Sequence, residues 1–290
     1  MWGAVCTIGS MVKGEEEIDM EERKPRLEGK VAIVTGAGSR GPGIGNGKAT
    51  AILFAREGAK VLLVDLFEER ALETHRIIQE EGGESTVFEA DLTKESQARE
   101  MVEYAIAQYG RLDILHNNVG IGMPGSVLDM TEEDWDHILA VNVKSLAFSC
   151  KYAIPKIMES GGGSIINISS IAAMRGLGIA AYALTKGGII ALTRTMAVQH
   201  AKDNIRVNCI APGTVYTPLV AEGLTEEGRA LRRDSVPLGT EGTAWDIGWA
   251  AVYLASDEAR WVTGVVLPVD GGLTITTEPT VTRSDFVKQQ

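Results

Sequence analysis

Tyr182-Ala-Leu-Thr-Lys186 sets a phenol and an ammonium four residues apart, on one face if the segment is helical. A free phenol ionises near pH ~10, too high for an efficient base at neutral pH. A neighbouring positive charge favours the phenolate, so the pair reads as a general acid/base for a substrate oxygen. The same spacing recurs in Tyr152-Ala-Ile-Pro-Lys156. That second pair lies late in a helical segment, before the apolar run Ser164–Ile168, whereas Tyr182 follows the run. Ligands of parallel sheets bind at the carboxyl ends of strands, so position selects Tyr182.

The other concentration of chemistry is TGAGSRGPGIGNGKAT, Thr35 to Thr50, directly after Val31-Ala-Ile-Val34. A literal GxGxxG, Gly36-Ala-Gly38-Ser-Arg-Gly41, needs a helix to begin at its third glycine. Pro42, Gly43, Gly45 and Gly47 follow, and they would not build a stable first turn. The register that works begins the helix near Gly47 and closes it at Gly58. Gly45-Asn46-Gly47 then lies at a helix N-terminus, where free amides and the dipole attract a diphosphate. The next apolar run ends at Asp65, eighteen residues beyond Gly47, a position suited to a carboxylate that bonds an adenosine ribose.

These residues resemble a short-chain dehydrogenase/reductase over about residues 27–273. The family loop TGxxxGxG is matched by Thr35-Gly36 and Gly45-Asn46-Gly47, with five extra residues between them, around Ser39–Gly43. The resemblance implies hydride transfer at a nicotinamide, with Tyr182 moving the proton on the substrate oxygen. Lys186 would bond the nicotinamide ribose and lower the tyrosine's pKa, and Asn142 would hold a water in a proton relay. Ser170, second of the pair closing Asn167-Ile-Ser-Ser170, would orient the substrate oxygen. Its spacing to Tyr182 is one residue short of the family's usual one. Ser169 restores that spacing but points to the opposite side of the strand, and it remains the competing assignment.

The resemblance further assigns Asp91 and Leu92 to the adenine, although Asp91 is also placed to cap a helix before Thr93. From Asn117-Asn118-Val119-Gly120 it takes Asn117 as a strand tie, with Asn118 and Gly120 on the cofactor side. Val215, through its backbone, and Thr217, through its hydroxyl, would meet the nicotinamide amide. Gly36, Gly45, Asn46, Gly47 and Asp65 complete the cofactor set. Asp65 would repel a 2′-phosphate, so NAD is expected rather than NADP; Arg40 in the inserted loop is the counter-signal.

The elements that must position these groups alternate along the chain. Apolar runs of strand length fall at Val31–Thr35, Lys60–Val64, Thr86–Ala90, Leu112–His116, Ser164–Ile168, Arg206–Ile210 and Val265–Val269. Helical patterns fall around 47–57, 68–80, 94–109, 131–159, 181–201 and 244–255. Such alternation predicts an α/β fold, a Rossmann-type doubly wound parallel sheet of about seven strands with helices on both faces, in a single domain. Residues 1–26 read as a flexible leader, with Met11 or Met20 a possible start, and 274–290 as a polar tail. A substrate lid is expected at about 218–243, including an amphipathic helix of mixed charge. Arg229, Arg232 and Arg233 there are either a substrate carboxylate site or, by the commoner pattern, a solvated face. Met123, Met174 and Leu177 would add an apolar wall for a ring or chain bearing a secondary alcohol.

Composition narrows the class. The net charge of −11 argues against a nucleic-acid groove, and no apolar run is long enough for a membrane span. Cys6, Cys150 and Cys209 are far apart and unpaired in pattern, as free thiols of a reducing, cytoplasmic compartment would be. The four scattered histidines give no metal spacing, so no metal is expected. The expected activity is NAD-dependent oxidation of a secondary alcohol or reduction of its ketone. Its rivals are an NADPH-dependent 3-oxoacyl reductase and a non-catalytic dinucleotide sensor. The resemblance also implies a homotetramer.

Overall fold

The computed structural model describes residues 24–221 and 224–276. The leader before Lys24, with Cys6 and both alternative starts, lies outside the described residues, as do positions 277–290 of the tail. Seven strands form one parallel sheet: β1 (Val31–Thr35), β2 (Lys60–Asp65), β3 (Ser85–Glu89), β4 (Ile114–Asn117), β5 (Gly163–Ile168), β6 (Ile205–Pro212) and β9 (Val266–Val269). Their order is β3-β2-β1-β4-β5-β6-β9, so the winding reverses between β1 and β4. A crevice opens at the carboxyl ends where such a reversal occurs. Two strands of two residues each, β7 (Val215–Tyr216) and β8 (Gly242–Thr243), pair in parallel beside it. They are too short to leave a periodic trace in the sequence.

The strands are apolar on both sides because both faces are covered. Ala32 and Val34 of β1 face the core under α1 (Asn46–Arg56), α2 (Glu68–Glu80) and α9 (Ala244–Ala255). Val31 and Ile33 face the opposite core under α3 (Glu95–Tyr109), α5 (Ser145–Glu159) and α6 (Ala180–His200). Full burial of one such aliphatic or aromatic side chain contributes about 1.5–3 kcal/mol, which fixes the register of every helix that positions the site.

The helical pattern at 131–159 is one path but not one regular helix. Helix α4 (Glu132–Leu139) begins with a capping box between Thr131 and Asp134, and a π-helical turn over Ala140–Lys144 separates it from α5. Periodicity does not distinguish a π turn, because the apolar face merely shifts by one residue across it. Within the segment expected to form a lid lie α7 (Pro218–Ala221) and α8 (Glu226–Asp234).

Candidate active site

Helix α1 begins at Asn46, with Gly45 as its N-cap, so the literal GxGxxG register does not open a helix. Gly36, at φ +63°, turns the chain out of β1. A Cβ on Gly47 would lie 2.0 Å from the Gly36 carbonyl oxygen and 2.5 Å from Asn118 Nδ2. Only glycine lets α1 approach the end of β1 this closely. Asn118 Nδ2 donates to the Gly36 carbonyl at 3.0 Å, and its backbone N–H to Thr35 Oγ1 at 3.1 Å. The Asn118 side chain therefore braces the turn. At the same N-terminus the Ser39 hydroxyl, inside the inserted loop, accepts from Gly45 N at 2.9 Å, and Asn46 Oδ1 is buried without a partner among the described residues.

Asp65 ends β2 beside this loop and accepts from Gly38 N at 3.0 Å and Phe67 N at 3.3 Å. Arg40 is exposed. Asp91 Oδ1 takes the backbone and hydroxyl of Thr93, the capping geometry that competes with an adenine contact, and Leu92 is buried in the core. Asn117 ties β4 to β5 through Asn167 Oδ1 at 2.9 Å. This cradle of close-approach glycine, free helix amides and strand-end carboxylate fits a dinucleotide.

The second half of the site lies across the sheet reversal. Ser170, just past β5, faces the Tyr182 phenol and accepts from Ala172 N at 3.1 Å, whereas Ser169 turns away and donates to the Lys186 carbonyl at 2.7 Å. Tyr182 and Lys186 occupy adjacent turns of α6, with the ammonium 5.6 Å from the phenol ring centroid. Lys186 Nζ donates to the Ile168 carbonyl at 2.9 Å. Burial pushes this ammonium down to about 8. Loss of water pushes the Tyr182 phenol up, and the Ser170 hydroxyl pulls it part of the way back.

The π turn carries Asn142 into the same space. Its Oδ1 accepts from Ile121 N at 2.8 Å, and its Nδ2 donates to the Ile121 carbonyl and Thr185 Oγ1, both at 3.0 Å. Gly120 fits between the groups: a Cβ there would lie 3.2 Å from Lys186 Nζ and 3.4 Å from Asn142 Oδ1. By contrast Tyr152 points to Glu95 on α3 at 2.9 Å and Lys156 pairs with Glu159, so the duplicate motif is a surface feature.

At the rim, Val215 N donates to the Gly213 carbonyl, while the Val215 carbonyl accepts from Arg232 Nη2 at 3.3 Å. Thr217 is buried, and its hydroxyl has no hydrogen bond among the described residues. Arg229 and Arg232 are neither free nor a solvated face; both hold Glu241, and Arg233 lies by Asp234. Met174 and Leu177 are about half exposed, as an apolar rim would be. Sequence reasoning missed Ser39, Glu241 and the π turn. A serine inside the insertion was the one signal available, while the other two depend on contacts distant in sequence.

Residues 41–274 match a family model described as enoyl-(acyl carrier protein) reductase. A 3-oxoacyl-[acyl-carrier-protein] reductase of Thermotoga maritima is 39% identical over 251 residues, covering 86% of this chain and 100% of that protein. A 2,5-dichloro-2,5-cyclohexadiene-1,4-diol dehydrogenase of Sphingobium indicum is 38% identical over 251 residues, covering 86% and 98%. Among solved structures, a 7α-hydroxysteroid dehydrogenase complexed with NADH and 7-oxo glycochenodeoxycholic acid superposes with a TM-score of 0.80. It is 36% identical, covering 86% of this chain and 96% of that one.

Proposed function

Because the chain belongs to the short-chain dehydrogenase/reductase family, whose members are oxidoreductases acting on alcohol and keto groups, we propose that it is an NAD-dependent dehydrogenase of secondary alcohols, cyclic or aromatic ones included, and in reverse a reductase of the ketones. The observation that carries this reading is the Tyr182 phenol, facing Ser170 and one helical turn from the buried Lys186 ammonium.

Bound NAD supplies the hydride acceptor. Ser170 Oγ orients the substrate oxygen, and Tyr182 Oη takes its proton during oxidation and returns it during reduction. Lys186 Nζ holds the ribose hydroxyls, and Asn142 fixes the Ile121 backbone beside it, the start of a proton path to solvent. The amides of Asn46 and Gly47 receive the diphosphate, the Gly45 amide being held by Ser39 Oγ, with Gly36 and Asn118 shaping the turn. Asp65 accepts from the adenosine ribose and repels a 2′-phosphate. The backbone beside Asp91 and Leu92 borders the adenine. Gly120 keeps the cofactor side open, and the Val215 backbone and Thr217 hydroxyl meet the carboxamide.

The reading includes a cytoplasmic location, in keeping with the acidic charge and the buried free thiols Cys150 and Cys209. It also includes a homotetramer, in keeping with Trp249, Tyr253 and Trp261 exposed around α9. Light scattering at four times the 31.0 kDa chain mass checks the latter. Among the described residues no helix is long and apolar enough to cross a membrane.

A second reading, an NADPH-dependent 3-oxoacyl reductase, draws on the exposed Arg40 and on the Thermotoga relative. Titration with NADH and NADPH, followed by energy transfer from tryptophan to the reduced nicotinamide, separates the two. NADH is expected to bind at least tenfold tighter, and the reverse preference would transfer the assignment. Initial rates on a panel of secondary alcohols are expected to fall by about 10²–10⁴-fold in Tyr182→Phe. Unchanged turnover in that variant would remove Tyr182 from the chemistry.

A further inference from the structure

The segment that carries Val215 and Thr217 continues into α7 and α8 and returns through Glu241 to β8. β8 lies against β7, pairing Val215 with Gly242 and Tyr216 with Thr243. Glu241 thus stands directly behind the rim strand. Its side chain is 7% exposed, and its two oxygens are divided between two arginines of α8. Arg229 Nε reaches Oε2 at 3.0 Å, and Arg232 Nε reaches Oε1 at 3.2 Å. Each guanidinium is fixed by a second contact on the rim itself. Arg229 stacks on the Tyr216 ring with its central carbon 3.9 Å from the centroid, and Arg232 Nη2 donates to the Val215 carbonyl at 3.3 Å. Glu226 stands 3.9 Å from Arg229 and supplies the second negative charge, so the group is neutral as a whole.

Two arginines on the rim of an alcohol site are the ordinary means of binding a substrate carboxylate, since the guanidinium fork matches its geometry. Here a buried internal carboxylate already occupies that role. We propose that Glu241 is a specificity-determining residue: by consuming Arg229 and Arg232 it makes the mouth accept uncharged alcohols and ketones and reject carboxylates. The inference rests on the dehydrogenase reading for where the substrate enters. Releasing the arginines converts the rim into an anion site without altering Ser170, Tyr182 or Lys186, none of which is bonded to the cluster.

The test is calorimetric titration of the full chain, free and saturated with NADH, with cyclohexanone and with 4-oxocyclohexanecarboxylate. In Glu241→Ala the carboxylate is expected to bind at least tenfold tighter than in the wild type, with a gain that fades as salt screens it. Cyclohexanone binding should change less than twofold. The isosteric Glu241→Gln, which keeps the packing, should move the carboxylate in the same direction by a smaller factor, and it serves if the alanine variant does not fold. Removing both arginines as well (Arg229→Ala and Arg232→Ala) should abolish the gain. No gain in either single variant overturns the proposal, as does a wild type that already binds the carboxylate more tightly than the neutral ketone. Failure of the dehydrogenase reading registers separately, as absence of NADH and NADPH binding by the wild type, while the titrations on the free chain still report on Glu241.

Discussion

At the scale of single residues the site depends on which of two adjacent serines faces the phenol. Alternation along β5 turns Ser169 inward, where its hydroxyl holds the Lys186 carbonyl, and leaves Ser170 on the crevice side with Tyr182. The two substitutions should therefore separate. Ser170→Ala should lower kcat/KM by about 10²-fold, the size of loss typical of one oriented polar group in a transition state, with a small fall in melting temperature because its hydroxyl also caps Ala172 N. Ser169→Ala should instead cost about 1 kcal/mol of stability, the net worth of a buried hydrogen bond, with less than a threefold change in turnover. Denaturant titration beside steady-state rates checks both, and the reverse pattern would move the catalytic assignment to Ser169. Tyr182 and Lys186 could be chosen over Tyr152 and Lys156 from order along the chain alone, because strand ends fix where ligands bind. The rise in the phenol's pKa was not legible, since it depends on how much water packing removes.

At the scale of elements the decisive contact is the close approach of α1 to the end of β1. Gly47 makes that approach possible, and the Gly36 turn and Asn118 hold it. Gly47→Ala places a methyl against a carbonyl oxygen, and overpacking of that kind costs about 1–3 kcal/mol. The expected outcome is a lower melting temperature together with at least a hundredfold loss of NADH affinity, read by fluorescence titration. Retained affinity would mean that the phosphates lie elsewhere. The inserted loop is accommodated because Ser39 caps Gly45 and Gly43 lies against Pro218 of α7, so the insertion bridges the turn before α1 and the segment that begins α7. Its existence was plain in the sequence, but its course was not, since five extra residues leave many paths open. The π turn that delivers Asn142 was hidden for a related reason: an added residue in a helical turn leaves the composition of the apolar face intact.

At the scale of the whole molecule one buried group sets an acid limit. His116 lies inside the sheet on β4, edge-on to Phe54 with ring centroids 6.0 Å apart, and neither ring nitrogen has a hydrogen-bond partner among the described residues. Burial pushes it down to about 3, against about 6.5 in an unfolded chain. The unfolded state therefore binds a proton that the native state refuses between those values. Its contribution is intact above pH ~6.5 and declines by about 1.4 kcal/mol per unit as the pH falls toward 3. His116→Val should move the acid unfolding midpoint to lower pH without loss of stability at pH 8, because no partner is left unpaired. Circular dichroism across an acid titration checks this, and an unshifted midpoint would assign acid sensitivity to the carboxylates.

The sequence by itself determined the order of strands and helices, the winding of the sheet and the place of the crevice. Apolar periodicity, glycine and chain direction are local quantities, and right-handed crossovers leave few topologies. It also determined that Gly45-Asn46-Gly47, Asp65, Tyr182 and Lys186 would come to one end of that sheet. Tertiary structure decided what those groups and their neighbours meet: Ser170 rather than Ser169 facing the phenol, Lys186 on a carbonyl, and Glu241 on Arg229 and Arg232. Such pairings join residues from separate elements, and burial sets their strength. Both are fixed only when the sheet, its helices and the rim strand pack together.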